Sequence, residues 1–152
     1  MKHEETGLKN HPFLAGADPA LIKAMAAHAK PVRMEEGAVI YREGAESAEF
    51  YLIEQGRVAL EVHTPSRGPM VIETLESGDL LGWSWAVPPF RKSFDARALE
   101  PTRAIAFDAT AIRNLMEQNP ALGYELLKRV IVVMAQRLQS TRIRLLDIFK
   151  SP

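Results

Sequence analysis

The 152-residue sequence contains no cysteine, which removes disulfides, thiolate zinc sites, iron–sulfur clusters and cysteine nucleophiles in one step. It also lacks an excess of either charge: 19 Lys and Arg balance 19 Asp and Glu. No net field is therefore available to hold a polyanion by counterion release, and direct DNA binding is not expected. No apolar run approaches the roughly 20 residues that cross a bilayer. The opening stretch MKHEETGLKNHPF is charged and has no apolar core of the kind a secretion signal needs. These absences predict a cytoplasmic protein without a membrane partner. Histidine is scarce and scattered: His3, His11, His28 and His63 show no metal-ligand spacing, which speaks against a metal-dependent enzyme. A nucleophile and its base cannot be recognised from order alone, and Glu35-Glu36 reads as an exposed turn before Gly37. No catalytic residue, metal ligand or required cofactor is assigned, and enzyme activity is not expected.

What is present is the length of one domain with one core. Residues 1–12 read as an N-terminal tail and residues 13–149 as the domain. Asp18-Pro19 is a helix cap followed by proline at the first helical position, and Leu21, Ile22, Met25 and Ala29 recur behind it at helical spacing. From about residue 31 to 107 the rhythm changes to short runs rich in Val, Ile, Tyr and Phe, punctuated by Gly37, Gly44, Gly56, Gly68 and Gly78. Val58, Leu60 and Val62 alternate there with Ala59, Glu61 and His63, the period of a strand with one buried face. The turn spacing suits a sandwich or jelly roll.

Helices return at about residues 108–149. Asp108 caps a short one carrying Ile112, Leu115 and Met116, and Asn119-Pro120 starts a long one that runs from about residue 121 to 149. Along it Leu127, Ile131, Met134, Leu138, Thr141, Leu145 and Ile148 form a seam at alternating spacings of four and three. Leu122, Leu126, Val130 and Val133 line another face. A β body of this size cannot cover so long a helix on all sides, so a homodimer through residues 121–149 is expected.

The segment EGAESAEFYLIEQGRVALEV, residues 43–62, together with ESGDLLG, residues 76–82, resembles the cyclic nucleotide-binding domain of the catabolite activator and fumarate-nitrate regulator (Crp/Fnr) superfamily. Gly44, Phe50-Tyr51-Leu52-Ile53, Gly56 and Val58 follow the signature in order. The resemblance implies a mainly β fold: an eight-stranded jelly-roll β-roll with a short N-terminal helix and a long C-terminal dimerisation helix. It also implies a ligand cassette in the stretch LLGWSWAVPPFRKSFDARA, residues 80–98. Gly82 matches the cassette glycine, which lets the backbone turn tightly so that N–H groups face an anion. Ser84 either donates to that anion or caps the one-turn helix. The family's glutamate, which accepts from a ribose hydroxyl, is replaced by Trp83, a donor with a large apolar ring. Trp83 and Trp85 either stack on a planar ligand or pack as wall. Lys92-Ser93 falls on the family's arginine and small hydroxyl, with Arg91 adjacent as the other candidate for the phosphate partner. Thr141 falls on the threonine of the dimer helix that reaches the nucleotide base, which gives a reason for a hydroxyl within an apolar seam.

The resemblance thus implies a regulatory domain that senses cAMP, cGMP or a related anionic small-molecule effector and signals through the dimer helix. The sequence stops at Pro152 without a helix-turn-helix, so an unidentified output protein acting in trans is expected. The alternatives are a sensor for an aromatic, non-nucleotide effector and a ligand-free dimerisation or interaction module.

Overall fold

The computed structural model describes residues 2–150, except for the side chains of residues 2–4, 144, 145 and 148–150. Three helical pieces come first: α1 (Lys2–Asn10), a single turn at Pro12–Leu14 and α2 (Pro19–Ala26). Eight strands follow: β1 (Ala29–Met34), β2 (Val39–Tyr41), β3 (Glu49–Gln55), β4 (Arg57–Thr64), β5 (Gly68–Glu76), β6 (Leu80–Leu81), β7 (Asp95–Ala98) and β8 (Thr102–Asp108). The helices α3 (Ala109–Gln118) and α4 (Pro120–Lys150) complete the described chain. The strands form two four-stranded antiparallel sheets, ordered β1-β8-β3-β6 and β2-β7-β4-β5. This is the eight-stranded roll with flanking helices that the sequence predicts.

Strand β3 shows why the hydrophobic pattern takes this form. Its run Phe50-Tyr51-Leu52-Ile53 is buried on both faces. Tyr51 and Ile53 point between the sheets with Val58, Leu60, Leu75 and Leu81, while Phe50 and Leu52 point outward to the helices with Phe107, Leu21, Met25 and Leu126. A strand covered on both sides reads as a continuous apolar run rather than an alternating one. Strand β4 departs from the predicted alternation, because Ala59 and Glu61 are buried as well. Glu61 tolerates this because Arg97 of β7 donates to both of its carboxylate oxygens, at 3.1 and 2.8 Å, a bidentate pairing that satisfies the charge.

All three predicted caps are present. Asp18 accepts from the Ala20 N–H at 2.9 Å, Asp108 from Ala111 at 3.0 Å and Asn119 from Leu122 at 3.3 Å. Ala29, read with the first helix, instead opens β1. Gly123 lets α4 cross α3 closely, since a Cβ there would lie 2.9 Å from the Met116 carbonyl oxygen. Leu122, Leu126 and Val130 of α4 are buried on the roll. On its other side Leu127, Ile131 and Leu138 are exposed. The side chains of Leu145 and Ile148, also read into that seam, lie outside the described residues.

The reading of residues 1–12 as a tail is corrected. Lys2–Asn10 form α1, and its Leu8 is fully buried in the helix-side core. The signal is faint because LKNHP offers one aliphatic residue; the anchor is polar. His11 is buried, its Nδ1 accepting from the Phe13 N–H at 3.1 Å and its Nε2 donating to the Ile53 carbonyl at 2.8 Å. Both ring nitrogens are thereby satisfied in the neutral form.

Candidate functional site

Strand β6 ends at Gly82, whose φ of +96° only glycine adopts readily. A Cβ there would also lie 3.4 Å from the Lys92 Nζ and 3.6 Å from the Phe50 Cβ. The turn delivers Trp83 and then a single helical turn at Ser84–Ala86. Ser84 is buried, with its hydroxyl 3.0 Å from that of Ser47, so it ties the turn to the loop before β3. Trp85 is fully buried: its ring stacks on Phe50 at 4.2 Å, and its Nε1–H donates to the Gly82 carbonyl at 3.2 Å. That settles one alternative left open above. Trp85 is core, not a surface for a ligand, because Phe50 and Phe107 continue the stack behind it.

The two adjacent cations part company. Arg91 is exposed, pairs by backbone with Glu46, and reaches only the Gly44 carbonyl at 3.5 Å. Lys92 turns inward and is 5% exposed. Its ammonium donates to the Glu49 carbonyl at 2.7 Å and sits 4.2 Å from the centre of the Tyr41 ring. Burial pushes its pKa down to about 8, against an upward pull from Glu49; a charged group out of water is disfavoured. The same burial pushes the Tyr41 hydroxyl well above its ordinary value.

Gly82, Trp83, Ser84 and Ser93 come together around one small cavity, with Tyr41 and Leu60 in its wall. Its volume is about 10 Å³, room for about one water. Thr141 is not brought there. It is exposed, and its hydroxyl donates to the carbonyl of Arg137 one turn back, at 2.9 Å, the local bond a helical threonine makes when nothing else engages it. Sequence reasoning missed Arg137 itself, which lines the cavity from α4. Its Nη2 donates to the Leu80 carbonyl and its Nε lies 3.9 Å from Glu73. Burial pushes its pKa down, opposed by Glu73, Asp79 and Tyr41. The available signal was a cation one helical turn before Thr141, on a helix otherwise assigned to apolar contacts.

Compared with known proteins, residues 31–119 match the family model of the cyclic nucleotide-binding domain. The chain belongs to that family. A curated relative, the CRP-like cAMP-activated global transcriptional regulator of Mycobacterium tuberculosis, is 25% identical over 133 residues, 88% of this chain and 58% of the regulator. The chain therefore spans little more than half the length of that relative. Two solved structures share the fold. A cyclic nucleotide-binding domain from Methylobacillus flagellatus superposes with a TM-score of 0.83 at 18% identity, covering 99% of this chain and 86% of that one. The sensor domain of the transcriptional regulator DNR from Pseudomonas aeruginosa superposes at 0.72 and 20% identity, covering 91% and 95%. Gly82, Trp83, Arg91 and Lys92 all lie within the matched residues.

Proposed function

We propose that this domain is a regulatory sensor for an anionic small molecule, with cAMP and cGMP as the first candidates, held at the Gly82 to Ser93 cassette. The observation that carries the reading is the buried ammonium of Lys92 beside the Gly82 turn, bonded to a carbonyl rather than a carboxylate. A desolvated cation with no carboxylate bonded to it is unfavourable and is relieved by an arriving anion. Binding is read out through α4, whose exposed Leu127, Ile131 and Leu138 form a homodimer seam. The domain needs no cofactor and has no catalytic role. It works in the cytoplasm and passes its signal to an output partner. Among the described residues no helix is long and apolar enough to cross a membrane.

Trp83 supports a second reading, a changed effector. Half-buried on the cavity wall, it exchanges a ribose acceptor for a ring that suits an aromatic face. The small cavity supports a third, an interaction module without a ligand. Calorimetric titration with cAMP and cGMP, after native mass spectrometry has excluded a co-purified molecule, separates them. Micromolar binding of either supports the nucleotide sensor. Absence of heat with both sinks it, and a metabolite screen then divides the remaining two.

A further inference from the structure

The described strands carry five lysines and arginines: Lys30, Arg33, Arg57, Arg97 and Arg103. Three of them meet a carboxylate, Lys30 that of Glu49, Arg57 that of Glu100 and Arg97 that of Glu61. Arg33 and Arg103 meet each other. They stand directly opposite in the antiparallel pairing of β1 with β8, which sets their Cβ atoms roughly 4.5–5.5 Å apart. Both are exposed, and neither has an ion pair among the described residues. Like charges directly opposite on a sheet are destabilising, so this pair breaks the rule that the other strand cations obey. Functional positions are where such local rules are broken.

The pair lines a groove. Between α1 and the outer face of β1 and β8 lies a space of about 580 Å³, within the roughly 300–1,000 Å³ of ligand pockets. Pro31 and Ile105 give it an apolar wall, and Glu54 of β3 lines it too. Glu54 is exposed, and its carboxylate likewise has no ion pair among the described residues. Gly7 of α1 completes the lining. Glycine inside a helix is less favourable than alanine, and close packing does not demand it at this position. A Cβ on Gly7 would lie 3.5 Å from the Glu54 Oε2 and 3.8 Å from the Ile105 Cδ1, ordinary contact distances. What a longer side chain there would take is the groove. A second groove of about 570 Å³ lies beyond the two arginines, but Glu35 and Glu36 line it and repel an anion.

We infer that the groove under α1 is a second ligand site, for a free amino acid with an apolar side chain. Arg33 and Arg103 take its carboxylate, Glu54 takes its ammonium, and Pro31 and Ile105 receive its side chain. Guanidinium forks match a carboxylate with paired N–H donors, and the arriving negative charge relieves the repulsion between them. A plain carboxylate would meet Glu54 as a like charge, and a plain amine would meet the arginines in the same way. A zwitterion answers both. None of these residues lines the cassette cavity, so the site goes beyond the effector reading and does not depend on it.

The test is calorimetric titration of L-leucine and L-phenylalanine into the wild type, Arg33→Gln, Arg103→Gln, Glu54→Gln and Gly7→Met. Isocaproate and hydrocinnamate serve as the analogues without the ammonium, isoamylamine and phenethylamine as those without the carboxylate. The wild type is expected to bind at least one of the amino acids and to bind its two analogues about tenfold more weakly, the scale of one charge-assisted hydrogen bond. Either arginine variant is expected to lose about tenfold in affinity for the amino acid. Glu54→Gln is expected to abolish the preference for the amino acid over its carboxylate analogue, and Gly7→Met to lose binding by filling the groove. A wild type indifferent to both amino acids overturns the site. So does equal affinity in the wild type and both arginine variants, which would place the ligand elsewhere. Carboxylate analogues that bind as tightly as the amino acids overturn the role of Glu54 and the ligand class. Arg33, Arg103 and Glu54 are exposed, so their variants keep the fold and carry the comparison should Gly7→Met fail to fold. Each of these failures leaves the cassette reading standing.

Discussion

The ammonium of Lys92 lies 2.7 Å from the carbonyl oxygen of Glu49 and 4.2 Å from the ring centre of Tyr41, enclosed beneath the Gly82 turn. Its folded pKa of about 8 stands below the ordinary 10.5. Between those values the unfolded chain holds a proton that the folded one has released, so stability rises with pH across that window. The effect is on the order of 3 kcal/mol. Urea titrations between pH 7 and 10.5 are expected to show this slope in the wild type and to lose it in Lys92→Met. A Lys92→Met protein with the same slope would falsify the buried-ammonium account.

His11 titrates at the other end. Burial lowers its pKa below 6.5, against upward pulls from its bond to Ile53 and from Glu54 and Asp79. Because the folded pKa is depressed, stability is fully present above pH 6.5 and declines as the pH falls through the folded value. Protonation also ends the bond that Nδ1 accepts from Phe13. His11→Leu is expected to flatten the acid limb below pH 6.5, at a cost of about 1–3 kcal/mol at neutral pH from the unpaired Phe13 N–H, while the Ile53 carbonyl keeps its bond from the Gly78 N–H. Chemical denaturation across that range measures both.

The two tryptophans are expected to answer differently to truncation. Trp85 is fully buried in a stack with Phe50 and Phe107, so Trp85→Ala costs about 3–5 kcal/mol. Trp83 is half-buried at the cavity, and Trp83→Ala costs under about 1.5 kcal/mol, within the ordinary range of point substitutions. Its larger effect falls on ligand choice: Trp83→Glu restores a hydroxyl acceptor and is expected to raise cAMP affinity. Melting curves and titrations of the pair decide it; equal destabilisation would mean that Trp83 is also core.

The helix seam makes a separate prediction. Ile131 and Leu138 are 61% and 70% exposed, so aspartate at either position leaves the fold of one subunit within about 0.5 kcal/mol. Ile131→Asp and Leu138→Asp are expected to sediment as monomers while the wild type sediments as a dimer. A monomeric wild type would remove the seam from the mechanism.

Much of this protein is written locally. Asp18, Asp108 and Asn119 place helix starts through bonds to N–H groups two or three residues away. The run Phe50 to Ile53 and the glycines between strands announce a roll with a strand buried on both faces. Gly82 marks the cassette turn because its φ excludes other residues. Such features need only a few neighbouring residues, so sequence by itself determined the fold and located the Gly82 turn.

Tertiary structure decided what that site contains. Arg91 and Lys92 are adjacent, and in extended chain one residue of slip exchanges the inward for the outward side chain; only the bridge between Glu46 and Arg91 sets which is which. Thr141 turns to its own helix, while Arg137, 57 residues from Leu80 along the chain, reaches across to it. The buried His11 joins α1 to β3 over 42 residues. Each of these depends on how far one element rotates against another, a quantity set by the packing of the whole core and carried by no short stretch of sequence.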